Sequence, residues 1–400
     1  MRRHRHGLVL GKFYPPHAGH HHLVRTARAR CAELTVLVCA ASVESVPLAE
    51  RVAWMRAVHP DCRIVGLVDD VPMDLDDPEI WDAHVRIFRQ GVEGEVDAVF
   101  TSESYGAELA RRFGAAHVPV DPERRAFPVS GTAVRADPVA HWHHLAPPVR
   151  AGLARRVVVL GAESSGTTTM ARALAAHYRE RGGAFAGTRW VPEYGREHSE
   201  RRLRELRQRW PEARWEDVEL GGEEFPLIAE RQNEREERAA GEGGPVLFCD
   251  TDAFATTVWH ERYVGGRNPS VDELAGRTQR HLWLLTDHEG VPFEDDGLRD
   301  GEELRPWMTG RFHAELTRTA RPFVMLGGSH EERLATAVTA VDALLAAGWH
   351  FTDPLPDLTG TAAVTTSVAS TSAVTTSAAT TSAATTTASG AAASGTGEGP

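Results

Sequence analysis

The sequence predicts an α/β protein of two parallel-sheet domains followed by a low-complexity tail. Three observations carry that prediction. Short apolar runs alternate with stretches of helical periodicity through most of the chain. Twice, at Gly11 and at Gly161, an apolar run ends in a glycine turn that leads into a helical stretch. From residue 359 onward nearly every residue is Ala, Thr, Ser, Gly or Val, with no large apolar group and no amphipathic period.

In order along the chain, residues 7–13 read as a short buried strand running into a turn. Leu23, Val24, Ala27, Cys31 and Leu34 share helical spacing, and Thr35–Ala41 is a second strand. Glu50–Val58 reads as helix, Arg63–Val68 as strand, Trp81–Gln90 as helix and Ala98–Thr101 as the end of a fourth strand. Strands alternating with helices imply a parallel sheet covered on both faces. His141–Pro148, rich in His, Pro and Trp, reads as a boundary. A second unit opens with the strand Val157–Leu160, a glycine loop and a helix through Met170–Tyr178, with further strands at Pro245–Phe248, His281–Leu285 and Phe323–Leu326. The expected domains are 1–145 and 155–350, with a tail over 356–400 that is expected to be disordered.

Composition narrows the function classes. A formal net charge of -12 argues against broad nucleic-acid binding, which needs a basic surface. No apolar run reaches the ~20 residues needed to cross a bilayer, so no membrane insertion and a cytoplasmic location are expected. Cys31, Cys39, Cys62 and Cys249 are scattered without Cys-x-x-Cys spacing, so neither a zinc site nor a disulfide frame is expected. Of 44 basic residues only Lys12 is a lysine, and it lies in the first glycine turn.

That turn reads Gly11-Lys-Phe-Tyr-Pro-Pro-His17-Ala-Gly19-His20 and opens the first helix. Free N–H groups and the positive end of a helix dipole suit phosphate there. Gly19 permits close backbone approach, and His17 and His20, three residues apart, can face one pocket and stabilise developing charge. Read alone, with His20, His21 and His22 consecutive, the stretch is as well explained by a surface turn. A second motif follows more than a hundred residues later: Ser130-Gly-Thr132-Ala-Val-Arg135. Ser130 caps a helix, Thr132 lies in its first turn, and Arg135 can clamp outer phosphates bidentately.

In the second unit, Gly161-Ala-Glu163-Ser164-Ser165-Gly166-Thr167-Thr168-Thr169 lies between a buried strand and a helix, the setting of a phosphate loop. Thr168 stands at the Mg²⁺-binding hydroxyl position, but Thr167 occupies the lysine position. Asp250 ends an apolar strand as a Walker B acid does. Threonine can only hydrogen-bond, so the missing charge falls to another group, with Arg172 and Arg299 as candidates.

The paired motifs His-x-Gly-His and Ser-x-Thr-x-x-Arg resemble those of the nucleotidylyltransferase superfamily. Over roughly residues 7–345, leaving out the tail, the chain more closely resembles the bifunctional NadR family, which joins nicotinamide-mononucleotide adenylyltransferase to ribosylnicotinamide kinase. The matching stretches are Gly11–His20, Glu50-Arg51, Thr101-Ser-Glu103, Val120–Arg124, Ser130–Arg135, Gly161–Gly166, Glu193-Tyr-Gly-Arg196, Asp250-Thr-Asp252 and Asp296-Gly-Leu-Arg299. The resemblance implies a Rossmann-like nucleotidylyltransferase domain followed by a P-loop kinase-like domain, with ATP as co-substrate and Mg²⁺ as cofactor.

By that resemblance His17, His20, Lys12 and Arg135 hold ATP phosphates, with Gly11, Phe13, Gly19, Thr101, Ser102, Ser130 and Thr132 completing the ATP site. Trp81 is the stacking candidate for the nicotinamide of nicotinamide mononucleotide (NMN). In the second domain Thr168 and Asp250 are Mg²⁺ ligands, and Asp250 or Asp252 a ligand or base. Glu193 and Arg196 approach ribosylnicotinamide, and Arg299 resembles a lid arginine. Three alternatives stay open: a kinase-like domain that only binds nucleotide or takes another nucleoside, a different adenylyl acceptor, and a non-catalytic sensor of NAD-related nucleotides. Some family members carry an N-terminal DNA-binding module. With the first strand expected near residue 7, no such module is expected here. A homo-oligomer is compatible with all of these readings.

Overall fold

The computed structural model describes residues 4–299 and 301–355. The low-complexity tail expected over 356–400 lies outside the described residues. Five strands form the first sheet: β1 (His4–Gly11), β2 (Cys31–Ala40), β3 (Arg63–Val68), β4 (Ala98–Thr101) and β5 (Ala116–Pro119). All are parallel, in the order β3-β2-β1-β4-β5. The helices between them are α1 (Ala18–Arg30), α2 (Leu48–Val58), α3 (Pro78–Gln90) and α4 (Gly106–Phe113), and α5 (Gly131–Ala136) follows the last strand.

Alternation along β1 explains the layering. Val9, with Val36, Val38 and Phe100, faces Leu23, Val24 and Ala27 of α1. Its neighbour Leu8, with Leu37 and Val99, faces Trp81, Val85 and Phe88 of α3 and Leu109 of α4. Strands buried on both faces read as continuous apolar runs, as these do. Each fully buried Leu or Val contributes about 1.5–3 kcal/mol.

One expectation needs correction. Cys31 and Leu34 continue the helical spacing of α1, but they belong to β2. Cys31 is already extended (φ -120°, ψ 152°), and β2 pairs with β1 from Cys31 opposite His4. Sheet pairing outweighs the local period at this junction.

The segment read as a boundary is ordered. A 3-10 turn at Trp142–His144 leads to α6 (Pro147–Leu153). Trp142, Leu145, Val149 and Leu153 share one apolar cluster with Trp54 of α2 and with residues of the second unit. The Trp142 indole N–H donates to the Gly243 carbonyl at 2.9 Å.

The second sheet comprises β6 (Arg155–Gly161), β7 (Arg189–Val191), β8 (Val246–Asp250), β9 (Leu282–Thr286) and β10 (Phe323–Leu326), in the order β10-β9-β6-β8-β7, all parallel. Its helices are α7 (Thr167–Glu180), α8 (Tyr194–Arg207), α9 (Glu224–Glu242), α10 (Ala253–Tyr263), α11 (Pro269–Arg277), α12 (Arg305–Arg318) and α13 (His330–Ala346). Val157 and Val159 face α7 and α13, and Val158 and Leu160 face α9, α10 and α12. In both sheets the strand carrying a glycine turn is central and comes first in the chain, and the strand order runs outward from it on both sides. The carboxyl ends of such strands border the ligand crevice of open α/β sheets.

After α13 the chain returns to the first domain. Phe351 meets Tyr14 edge-on at 5.8 Å, and the Tyr14 hydroxyl donates to the Thr352 carbonyl at 2.9 Å.

Candidate functional site

The first cleft opens where β1 and β4 end. Lys12, Phe13, His20, Ser102 and Glu103 line both of its halves. One half holds His17, Gly19, Ser130, Thr132, Arg124 and Arg135, and the other Gly11, Thr101, Trp81, His84 and Asp69. Pro354 lines the first half and Leu355 the second, so the returning segment forms part of both walls.

The motif histidines form one unit. Their ring centroids are 3.7 Å apart, and the His17 backbone N–H donates to Nδ1 of His20 at 3.3 Å. A side chain at Gly19 would come within 3.2 Å of the His17 ring, so glycine preserves that ring's position. Nδ1 of His17 is buried and has no hydrogen-bond partner among the described residues, which leaves it for a ligand. Burial, with Arg124 and the histidines at 144 and 141 adding repulsion, lowers the His17 pKa to about 3. Burial, then the charges of His17, His21 and Arg124, drives His20 well down too. Both rings are therefore neutral hydrogen-bonding groups at pH 7.

Arg135 reaches the same place from α5. Ser130 caps that helix by accepting the Ala133 N–H at 3.1 Å. Arg135 donates to the Tyr14 carbonyl at 2.8 Å and to the Thr132 hydroxyl at 3.3 Å. Lys12 lies 4.0 Å from Glu44, which forms a fully buried ion pair with Arg51 at 2.6 Å. Arg51 also donates to the carbonyls of Lys12 and Val46, so it fixes the shape of the glycine turn from below.

The acceptor half is more apolar. Trp81 lies in its wall but is only 6% exposed. Its indole donates to the Leu75 carbonyl at 3.0 Å, and Arg112 covers its ring at 5.3 Å. Thr101 is equally enclosed: its hydroxyl contacts Nε2 of His117 at 3.0 Å, so Ser102 is the more accessible of the two. The sequence reading missed the His84–Asp69 pair at 2.7 Å, which lines this half. It also missed Tyr14, Arg124 and the returning segment. Glu50-Arg51 and Val120–Arg124 were visible as matching stretches, but without a role.

The second cleft lies over the loop after β6. Gly161, Glu163, Ser164, Thr167, Thr168, Glu193, Arg196 and Arg299 line it, with Trp215, Phe225, Trp259 and Tyr263 forming an aromatic wall. Gly161 is obligatory, because a side chain would fall 2.1 Å from the Thr286 hydroxyl. Gly166 (φ 89°) and Ser164 (φ 53°) take left-handed conformations that shape the loop. The Thr168 hydroxyl donates to Asp250 at 2.5 Å. Half-buried Glu193 has its pKa pushed up to about 8, first by burial and then by the charge of Asp250.

Five expected residues do not line this cleft: Gly166 and Asp250, which shape and back the loop, and Asp252, Ser165 and Thr169. Asp252 is a correction: it caps α10 through Ala255, accepts the Trp283 indole N–H at 3.1 Å and pairs with buried Arg280. A carboxylate so fully engaged in the core has no ligand face. Ser165 bonds the Ala162 carbonyl and the Thr286 hydroxyl beneath the loop, and Thr169 is exposed on α7 without lining the cleft.

Comparison with known proteins follows the same division. A Cytidylyltransferase-like family model matches residues 8–137, and an AAA domain model matches residues 156–333. The Trifunctional NAD biosynthesis/regulator protein NadR of Escherichia coli (strain K12) is 25% identical over 313 residues, covering 73% of this chain and 71% of that protein. The protein of the same name from Salmonella typhimurium is 25% identical over the same shares. A crystal structure of NadR protein in complex with NAD and AMP-PNP superposes with a TM-score of 0.62 at 19% identity, over 88% of this chain and 100% of that one. One of NadR protein in complex with NR gives 0.61 at 20% identity, over 88% and 98%. These two likenesses show a shared fold over both domains.

Proposed function

The chain is a NadR-family protein, and from that premise we propose that it makes NAD in two ATP-dependent steps, one at each cleft. The second domain phosphorylates ribosylnicotinamide to NMN, and the first transfers AMP from ATP to NMN. The observation that carries the reading is the convergence of His17, His20 and Arg135 on one cleft, from motifs more than a hundred residues apart.

In the first cleft the triphosphate would lie between the histidine pair and Arg135. An NMN phosphate oxygen attacks the α-phosphorus of ATP. A new P–O bond forms, the bond to the bridging oxygen breaks, and its electron pair leaves with pyrophosphate. No covalent enzyme intermediate is needed. The neutral rings of His17 and His20 donate N–H groups to phosphate oxygens, and Lys12 and Arg135 offset the charge that builds on the leaving group. Donors fixed in a water-poor cleft are worth about 10²–10³ in rate each. The apolar half, with Trp81 and the His84–Asp69 pair, would take the nicotinamide side.

In the second cleft the aromatic wall suits the cationic pyridinium of ribosylnicotinamide, because ring faces attract cations. Thr168 and Asp250 set two hard oxygen donors 2.5 Å apart at the end of the loop, a fit for Mg²⁺, which binds few protein oxygens beside phosphates. When bound, that ion neutralises phosphate charge. Glu193, at the foot of the cleft, would accept the proton of the ribose hydroxyl as its oxygen attacks the γ-phosphorus and ADP departs.

The test is direct. The protein with ATP, Mg²⁺ and NMN is expected to release NAD and pyrophosphate in equal amounts, and NMN to outpace other phosphorylated acceptors. No NAD, or faster turnover of another acceptor, would refute the assignment. ADP formation from ATP and ribosylnicotinamide tests the second step separately.

A further inference from the structure

We infer that Arg299 supplies the positive charge that a phosphate loop ordinarily carries on its lysine, and that Asp296 and Arg196 hold it over the loop. The inference rests on the kinase reading above and deepens it.

The loop keeps everything except that charge. Gly161, Gly166, Thr168 and Asp250 hold the geometry described above. Thr167 stands at the lysine position, lines the cleft and carries no charge. The chain's single lysine, Lys12, belongs to the other cleft. A phosphoryl group in transfer spreads negative charge over its oxygens, so some cation must face it.

The surrounding arginines can be sorted by what already occupies them. Arg172, one of the two sequence candidates, is exposed on α7, and its guanidinium lies 5.7 Å from the Trp190 ring centroid. Arg305 is committed to the carbonyls of His288 and Val291, each at 2.9 Å. Arg333 is committed to the carbonyls of Gly328, Asp287 and Glu289. Both brace the loop from beneath. Arg262 pairs with Glu163 at 3.0 Å.

Arg299 differs. Its Nη1 donates at 2.9 Å both to the Ser164 hydroxyl, inside the loop, and to the exposed Glu294 carbonyl of its own segment. Its guanidinium lies in the cleft wall with about a quarter of the side chain exposed (23%). The segment that carries it is docked on the loop: the Glu294 N–H donates to the same hydroxyl at 3.1 Å. Asp296 sits between two cations, 2.5 Å from Arg196 and 3.5 Å from Arg299. Both arginines help stabilise the ionised form of Asp250 against the upward push of burial. When a triphosphate enters, the Ser164 hydroxyl is the contact Arg299 exchanges for phosphate oxygens. Arg196 and Arg299 share Asp296, and each has one further, longer carboxylate contact, to Glu200 at 3.5 Å and to exposed Glu294 at 3.6 Å. These solvent-screened outer contacts are weak enough to yield to a triphosphate.

The experiment uses the full chain and measures phosphorylation of ribosylnicotinamide and NAD formation in the same preparations. Arg299→Ala is expected to lower the kinase kcat by about 10²–10³, the loss typical of one transition-state donor. Adding Thr167→Lys to Arg299→Ala is expected to restore at least tenfold of that loss. Arg299→Lys should recover only part, because an ammonium lacks the fork. NAD formation from NMN should stay at the wild-type rate throughout, which reports correct folding. An active wild type whose kcat is unchanged by Arg299→Ala, or an Arg299→Ala protein that Thr167→Lys fails to rescue, overturns this inference and leaves the kinase reading intact. A wild type inactive on ribosylnicotinamide that gains activity with Thr167→Lys overturns both, and identifies a domain that only binds nucleotide.

Discussion

Arg135 donates a hydrogen bond to the backbone carbonyl of Tyr14 at 2.8 Å and lies over that residue's ring, 5.0 Å from its centroid. The contact ties the downstream motif to the glycine turn across 121 residues. Tyr14 is also the anchor of the returning segment. Its hydroxyl contacts Ser45 at 2.7 Å and Thr352, and the Arg51 guanidinium lies 4.2 Å from its ring centroid. The phosphate-clamping arginine, the glycine turn and the end of the second domain therefore meet on one aromatic ring.

The returning segment brings the exposed carboxylate of Asp353 within electrostatic reach of Arg135. Burial lowers the Arg135 pKa, and the carboxylates of Glu44 and Asp353 work against that shift. Asp353 and a triphosphate compete for the same cation. Asp353→Asn is expected to lower the KM for ATP in NAD formation by up to roughly fivefold, the ~1 kcal/mol upper end for a solvent-screened charge. The gain should shrink as salt rises. Steady-state kinetics at two ionic strengths would check it, and an unchanged or raised KM would contradict the competition.

The Glu44–Arg51 pair beneath the first cleft has both side chains fully buried. Breaking such a pair leaves an uncompensated charge, at a cost of about 3–5 kcal/mol. Arg51→Ala should therefore lower the denaturant midpoint markedly. It should also slow NAD formation, because Lys12 loses the bond that holds its carbonyl. A paired replacement by apolar residues should recover stability more than activity.

Buried histidines make the fold acid-sensitive. His21 and His59 touch at 2.9 Å, and burial, then mutual repulsion, lowers His21 to about 3; burial lowers His59 to about 4. Their unfolded value is about 6.5. Between these values the unfolded chain binds more protons than the folded one. Stability is thus complete above pH 6.5 and falls as pH drops toward 3, by up to ~1.4 kcal/mol per pH unit for each such group. The melting temperature should decline from pH 7 to pH 5, and His21→Gln should flatten that decline.

Glu193 should set the pH profile of the kinase step. With its pKa near 8 it is mostly protonated at pH 7 and cannot accept the hydroxyl proton. The kinase kcat is expected to rise with pH and level off above about 8, and Glu193→Gln should remove the rising limb. A wild-type profile flat from pH 6 to 9 would exclude Glu193 as the base.

What was legible in the sequence was local. The strand–glycine–helix pattern located both turns, and Ser130 announced a helix cap through its spacing alone. β5, by contrast, is a short, half-exposed edge strand with no apolar run to reveal it. Asp250 and Asp252 look equivalent in the sequence, yet Thr251 (φ 67°) turns the chain between them. One carboxylate meets the loop and the other enters the core. Arg172 and Arg299 were likewise equal candidates, until the exposed face of α7 removed the first. The meeting of Phe351 and Thr352 with Tyr14 depends on the docking of two domains, and no local pattern encodes it.

The central claim is that His20 and Arg135 act on one triphosphate, and a double-mutant cycle on NAD formation tests it most directly. With His20→Ala and Arg135→Ala each lowering kcat/KM by about 10²–10³, the double variant should lose far less than the product of the two, because each loss already displaces the shared phosphates. Losses that simply multiply, or a single variant as active as wild type, would contradict it.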